Sequence, residues 1–470
     1  MLYTILPDEM RQAEQAAFAA GLSPLLTMEA AARAAFDVLL DLLGCTCRGR
    51  SVLFLCGPGN NGGDGLAMAR LLLQSGGNAR VILLDTPRTE EAQINLRHLQ
   101  AMGARIESVP DALPPAQYDA VVDALFGTGF AGAIAADSPA GRLLTWANAC
   151  GPVLAIDVPS GMDAATGAVG GVCAQAVWTV TFHRPKPGLY LTERRGCVGE
   201  ITTAPIGLPQ EFDPQGGLAV AGKGDLRALL PKRPVSAHKG DCGRTVIYAG
   251  MQRRAGLTTV ICPRDTLPVV QQEVPNAMCL AAEERPTPKC DALLMGCGVA
   301  ENDDTYADIM RLKNTDAYQV WDAGALNLLS RRPQQLGARA VITPHAGEAA
   351  RLLDWEISAV LADKLGAAEA LRAKYGCNVV LKSSVSVILT ADGQQRALNA
   401  VGSPARAKGG SGDALAGILA SLLGQGLPMF DAMRAACLCL GLAGIAAGKR
   451  CGVRAALTGD VIDCLGACEA

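Results

Sequence analysis

Residues 56–65, Cys56-Gly57-Pro58-Gly59-Asn60-Asn61-Gly62-Gly63-Asp64-Gly65, place five glycines, two asparagines and an aspartate in ten positions directly after the apolar run 51–55. Glycines let a backbone approach an anionic ligand closely, and the free N–H groups of a helix start favour phosphate. Asn60, Asn61 and Asp64 add oxygen ligands and fixed hydrogen-bond partners, so this turn could hold a cation or orient a ribose as well as a phosphate. Two further turns carry the same signature: Asp123-Ala124-Leu125-Phe126-Gly127-Thr128-Gly129, and Asp157-Val158-Pro159-Ser160-Gly161-Met162-Asp163. If all three follow parallel strands, they converge on one crevice. Asn61, Asp123 and Ser160 would then bring together oxygen atoms suited to a hard cation, and Gly127 to Gly129 would offer backbone N–H donors. Asp157 would be the nearest free carboxylate able to move a proton. Blander readings exist: Gly57-x-Gly59-x-x-Gly62 with Asp85 fits an ordinary dinucleotide fingerprint, and Asp123 and Asp157 could be turn formers. The dehydrogenase reading gives no use to Asn60, Asn61 and Asp64.

The second half has its own chemical string. Lys408-Gly409-Gly410-Ser411-Gly412-Asp413 precedes the apolar stretch 414–423, so successive N–H groups at a helix start would form an anion hole with a carboxylate beside it. Phosphoryl transfer needs such donors for the moving group and a base for the attacking hydroxyl, and Asp413 is the natural base. A plain capped helix after a flexible loop is the alternative. Gly296-Cys297-Gly298, Asp322, Thr343-Pro344-His345-Ala346-Gly347-Glu348, Lys382-Ser383-Ser384 and His238-Lys239-Gly240 are further polar strings; His345 taken alone would be an ordinary histidine.

These strings need a scaffold, and the chain supplies one by alternation. Strand patterns at 51–55, 80–84, 120–122 and 153–156 alternate with helical patterns at 89–102 and 141–148, which implies βαβ units and a parallel sheet covered on both faces. Residues 9–43 hold two helix patterns broken at 21–24, which would pack on the sheet or on another subunit. Pro209, Pro214, Gly216 and Gly217 interrupt the periodicity at a boundary near 208–222. Strands are then expected at 244–248, 257–261, 292–295, 317–321, 340–342, 378–381 and 385–389, with helices at 362–375, 412–423 and 429–447. The fold class is α/β in two domains, which 470 residues also suggest. A net charge of -3 and no basic stripe argue against nucleic acid or an anionic membrane as partner. No secretory signal is visible, and the apolar run 435–447 is shorter than a membrane span, so a soluble cytoplasmic protein with no membrane partner is expected. The 17 cysteines are scattered without a CxxC pair and read as small buried hydrophobes in a reducing compartment.

With GNNGGDG, DALFGTG and AIDVPSGMDAATG followed by TVTF at 179–182 and KPGL at 186–189, residues 5–209 closely resemble the NAD(P)HX epimerase domain. The strings of the second half resemble the ADP/ATP-dependent NAD(P)HX dehydratase. The resemblance implies a Rossmann-like three-layer sandwich at 1–210, a linker at 211–223 and a ribokinase-like domain at 224–470. It implies repair of hydrated NADH or NADPH, by exchange of the R and S epimers in the first domain and ADP- or ATP-dependent dehydration of the S epimer in the second. Carried over by motif, Asn60, Asn61, Gly62, Gly63, Asp64, Gly127, Thr128, Gly129, Phe130, Ala131, Gly132, Ala133 and Asp157 would contact substrate. Asn61, Asp123 and Ser160 would ligate K+. Gly298, His345 and Asp413 would touch the hydrate, while Lys382, Ser383, Ser384, Val385, Ser386 and Gly412 would hold ADP or ATP with Mg2+. A homo-oligomer is also implied. Departures are Pro205, where relatives carry an acidic residue, Ser383 for a glycine, Gly324 for a second aspartate, and a gap of about one helix after Gly250. Parallel crossovers need about a dozen residues, so a displaced strand 244–248 or a rearranged sheet is expected. Two rival readings are a ribokinase-type small-molecule kinase with an accessory nucleotide-binding domain, and an epimerase or nucleotide sensor whose second half is inactive.

Overall fold

The computed structural model describes residues 2–214, 217–230, 243–248 and 257–468. Two compact units divide the chain: Tyr3–Gly217, described first, and Leu218–Ala470 together with Met1–Leu2.

A short strand, Leu2–Thr4 (β1), precedes the helices Pro7–Ala19 and Pro24–Leu42 with which the first unit begins. Ser23 caps the second of these, and Pro24 occupies its first turn, where a missing N–H costs nothing. Its buried face, Ala31, Ala32, Ala35, Phe36 and Leu39, joins the core of its own unit. Seven strands follow: Ser51–Cys56 (β2), Asn78–Leu83 (β3), Arg105–Ser108 (β4), Ala120–Ala124 (β5), Val153–Ile156 (β6), Ala176–Phe182 (β7) and Glu200–Ala204 (β8). They form one sheet in the order β4-β3-β2-β5-β6-β7-β8, with every pair parallel. Helices on both faces explain why β2, β5 and β6 are almost wholly apolar rather than alternating. The order reverses between β2 and β5, so the crevice of this sheet opens at their carboxyl ends.

The second unit adds Leu218–Val220 (β9), Arg244–Tyr248 (β10), Leu257–Cys262 (β11), Met278–Ala281 (β12), Ala292–Met295 (β13), Tyr318–Trp321 (β14), Ala340–Ile342 (β15), Asn378–Leu381 (β16), Ser386–Leu389 (β17) and Arg396–Asn399 (β18). With β1 at one edge, the sheet order is β1-β9-β18-β17-β16-β15-β14-β13-β10-β11-β12. From β12 to β16 the pairs are parallel, whereas β16-β17 and β17-β18 are antiparallel. The four residues 382–385 explain the change, since they can close a hairpin but not a crossover. The reversal between β10 and β13 sets the switch point here.

The expected displacement of strand 244–248 does not occur. β10 lies between β11 and β13 and pairs with β11 in parallel, Arg244 opposite Leu257. Residues 249–256, which carry the gap, lie outside the described residues, as does His238-Lys239-Gly240.

Helix Met429–Cys451 is longer than the apolar run that announced it, and long and apolar enough to cross a membrane by length and composition. It is a core helix: 67% of its most apolar window is buried, and Ala432 to Ala443 line the core of the unit. The described cysteines are free, and most are buried.

Candidate functional site

The first site is built at the carboxyl ends of β2, β5 and β6. Gly57 and Gly62 are glycine by close approach: a Cβ on Gly57 would lie 1.8 Å from the Leu125 carbonyl oxygen, and one on Gly62 would lie 1.8 Å from that of Gly57. The turn is therefore folded onto the β5 end, and helix Asn60–Gln74 starts inside the site. Asp123, fully buried, accepts from the Ser160 backbone N–H at 2.8 Å on Oδ2 and from its hydroxyl at 2.7 Å on Oδ1. Ser160 Oγ in turn accepts from Phe126 N–H at 2.9 Å. Burial raises the Asp123 pKa to about 6, against the opposing pull of the Ser160 and Leu125 hydrogen bonds.

Gly127 links this pair to the other two turns. The position of its missing Cβ is 3.1 Å from Asp157 Oδ2 and 3.3 Å from Asn61 Oδ1. Both polar atoms of the Asn61 amide are buried without a hydrogen-bond partner. Asn61, Asp123, Ser160, Gly127 and Asp157 are thus gathered at one place. Asn61 Oδ1, the buried Asp123 carboxyl and Ser160 Oγ are all oxygen atoms, the ligand type that hard cations take. An orphaned buried amide costs about 1–3 kcal/mol unless something bonds to it.

The expectation of a free carboxylate at Asp157 does not hold. Lys186, 1% exposed, lies 2.7 Å from Asp157 Oδ1, and the Thr181 hydroxyl donates to the same oxygen at 3.4 Å. Asp157 Oδ2 accepts from Thr128 N–H at 3.1 Å, and the residue sits at φ 66°. Asp64 is buried beside it, and its pKa is pushed well above the usual carboxylate range by burial, then by the Asp157 and Glu14 charges. Burial also raises Glu14, partly offset by Lys186. Lys186, Thr181 and Glu14 escaped sequence reasoning. The TVTF and KPGL strings contained the first two, and a lysine and a threonine in an otherwise buried segment were the available signal.

Of the remaining motif residues, Gly129, Phe130, Ala131, Gly132 and Ala133 continue the Gly127 turn, with the Phe130 ring tilted at 34° against Phe126, 5.2 Å between centroids. Gly63 is packed against Met28, its Cβ position 2.5 Å from that side chain's terminal methyl, and Asn60 opens the helix.

The second site gathers at the carboxyl ends of β13 to β16. Gly296 and Gly298 adopt φ 116° and 68°, turning the chain so that Cys297 lies between Asp322 and Asp413; ligand atoms of these three lie within 4.8 Å of one another. Lys382 Nζ is 2.7 Å from Asp322 Oδ1 and 3.8 Å from Glu348 Oε2. Burial alone would lower the lysine's pKa, but Asp322 and Glu348 outweigh it and raise it. Asp413 stands in the first turn of helix Ser411–Gly424, and its pKa is raised by burial and Asp322 against the Cys297 thiol hydrogen bond and Lys382. The thiol itself is pushed upward by burial beside the two carboxylates, so it stays protonated and donates. A Cβ on Gly412 would sit 3.0 Å from Lys382 Nζ, so the glycine lets the helix start meet the lysine.

His345 is exposed and caps helix Ala346–Leu353, with Nδ1 accepting from Gly347 N–H at 3.0 Å. It also bridges to Lys382 through the backbone. Ser383 turns its hydroxyl into the hairpin, accepting from Val385 N–H at 3.2 Å, and the Val385 and Ser386 side chains are buried, so only their backbones face outward chemistry. Ser384 is exposed. Gly324 begins a helix with its Cβ position 2.9 Å from Val299 Cγ2, which leaves no room there for an aspartate. Cys297 and Glu348 were not singled out from sequence, because a lone cysteine and one acid inside a longer string carry no spacing signal.

A family model described as YjeF-related protein N-terminus matches residues 26–188, and one described as NAD(P)H-hydrate dehydratase matches residues 246–465. The bifunctional NAD(P)H-hydrate repair enzyme Nnr of Moorella thermoacetica is 32% identical over 513 residues, covering 99% of this chain and 96% of that protein. The Escherichia coli enzyme of the same name is 33% identical, covering 97% of this chain and 92% of its own length. The ADP/ATP-dependent NAD(P)H-hydrate dehydratase of Bacillus subtilis, co-crystallized with ATP/Mg2+, is 21% identical with a TM-score of 0.48, covering 53% of this chain and 97% of that one.

Proposed function

The chain belongs to the family of bifunctional NAD(P)H-hydrate repair enzymes, and from that premise we propose that its two sites carry the two steps of repair. The first unit exchanges the R and S epimers of NADH or NADPH hydrated at C6. The second dehydrates the S epimer with ADP or ATP and Mg2+. One observation supports the first assignment most: an unpartnered buried amide, a buried aspartate–serine pair and a second aspartate meet at the ends of three parallel strands. In this reading Asn60, Asn61, Asp64, the turn at 127–133 and Asp157 contact the hydrate, and Asp157 holds or moves the proton. Asn61, Asp123 and Ser160 hold K+, which when bound supplies charge that fixes the three turns.

In the second unit Asp413 takes the proton of the C6 hydroxyl as that oxygen attacks the terminal phosphoryl group of the nucleotide. Burial raises its pKa from the usual carboxylate range, which strengthens it as a base. The N–H groups at the start of helix Ser411–Gly424 and the Lys382 ammonium meet the charge that develops on the phosphoryl oxygens. Loss of phosphate from C6 with a ring proton restores the dihydronicotinamide. Gly298 and His345 are the other contacts to the hydrate in this reading.

The test is to incubate purified protein with each epimer, with and without ADP and Mg2+. Exchange without nucleotide and recovery of dihydronicotinamide only with it are the expected results. Exchange without any nucleotide-dependent recovery would leave the second half inactive; recovery of neither, with phosphorylation of a sugar or vitamin, would favour the small-molecule kinase.

A further inference from the structure

Lys186 carries a role that the motif comparison leaves unassigned. It follows β7, is 1% exposed, and is among the largest fully buried side chains of the molecule. Burying an ammonium costs several kcal/mol unless it is paired and hydrogen-bonded. Its three protons have three acceptors: Asp157 Oδ1 at 2.7 Å, Phe182 carbonyl oxygen at 3.0 Å and Thr181 Oγ1 at 3.3 Å. An ammonium so engaged has no donor left for a ligand.

What it does reach is the group assigned to the proton. Asp157 stands at φ 66°, a backbone region that side chains other than glycine rarely adopt. Its carboxylate is held at both ends, Oδ1 by Lys186 and Thr181, Oδ2 by Thr128 N–H at 3.1 Å. Oδ2 is also the oxygen nearest the Gly127 Cβ position, at 3.1 Å, with Asn61 Oδ1 3.3 Å from the same point. Resting on the epimerase reading above, we infer that Lys186 is a positioning residue for epimer exchange: with Thr181 it clamps Asp157 Oδ1, so that Oδ2 is presented to the substrate in one orientation.

Steady-state exchange of R and S hydrates without nucleotide tests this in Lys186→Met, Lys186→Arg and Thr181→Val. Misplacing a reacting group by about 1 Å can cost on the order of 100-fold. Lys186→Met is expected to lose about that much in kcat with KM within about threefold, Lys186→Arg to recover at least about tenfold of it, and Thr181→Val to lose a smaller factor, also in kcat. Nucleotide-dependent dehydration of the S epimer by the same variants is expected at the wild-type rate, and it monitors the second unit. Exchange by Lys186→Met at the wild-type rate, a loss confined to KM, or an arginine variant no better than methionine would overturn the inference. If Lys186→Met does not fold, Thr181→Val decides: unchanged kcat overturns the clamp. Absence of exchange in the wild-type protein would sink the epimerase reading itself, a result separable from all of these.

Discussion

Asp413 and Asp64 are both carboxyls raised by burial, yet they are placed for different ends. Asp413 borders Lys382 and a helix start, where a base is needed, and removing a general base typically costs 10² to 10⁴-fold. Asp413→Asn is therefore expected to lose nucleotide-dependent dehydration by roughly that factor while R/S exchange continues, as read by following both reactions in one preparation. Asp64 is buried against Asp157 and Glu14. Because its folded pKa lies above the unfolded value of about 3.9, its stabilising contribution is complete below that pH and is lost as pH rises through the folded pKa. Asparagine does not titrate. The melting temperature of Asp64→Asn should thus match wild type near pH 4 and exceed it increasingly toward pH 8. Thermal melts across that range check it; a gap that shrinks with pH would contradict the burial argument. Lys186 shows where residue-level reading stopped, since nothing in the spacing of KPGL says that its ammonium points inward to a turn 29 residues earlier.

The elements that hold the site were the most legible part of the chain. A continuous apolar strand, a glycine turn and a helix start at 51–74 could be read directly, because each obeys a local rule. The strands β4, β8, β9, β12 and β18 were harder: strands of three to five residues lack a period, and β4 and β8 are half exposed. Residues 385–389 read correctly as a strand, but its antiparallel direction follows only from the short loop before it. At the glycine turn two substitutions separate packing from chemistry. Gly62→Ala drives a Cβ to 1.8 Å from a carbonyl oxygen and should destabilise the first unit by about 2 kcal/mol or more, because rigid backbone cannot give way. Gly127→Ala meets Asp157 and Asn61 side chains at 3.1–3.3 Å, so it should leave the melting temperature within about 2 °C but slow exchange at least about tenfold. Differential scanning calorimetry and exchange assays on the two proteins distinguish these outcomes.

At the scale of the whole molecule, two units carry separate sites, and each site lies beyond the carboxyl ends of its own sheet's parallel strands. Composition conveyed the two-unit division and the α/β class, since length and alternation are global properties. It did not convey that β10 pairs in parallel with β11, because register is set by partners distant in sequence. Joining the two activities in one chain makes sense if only the S epimer enters the second site, for the R epimer would otherwise accumulate. Supplying the R epimer alone, with ADP and Mg2+, tests this dependence most directly. Wild type is expected to recover dihydronicotinamide from R completely, and Gly127→Ala to recover it slowly from R but at the wild-type rate from S. Recovery from R and S at equal, wild-type rates in Gly127→Ala would contradict the assignment of exchange to the three turns of the first unit.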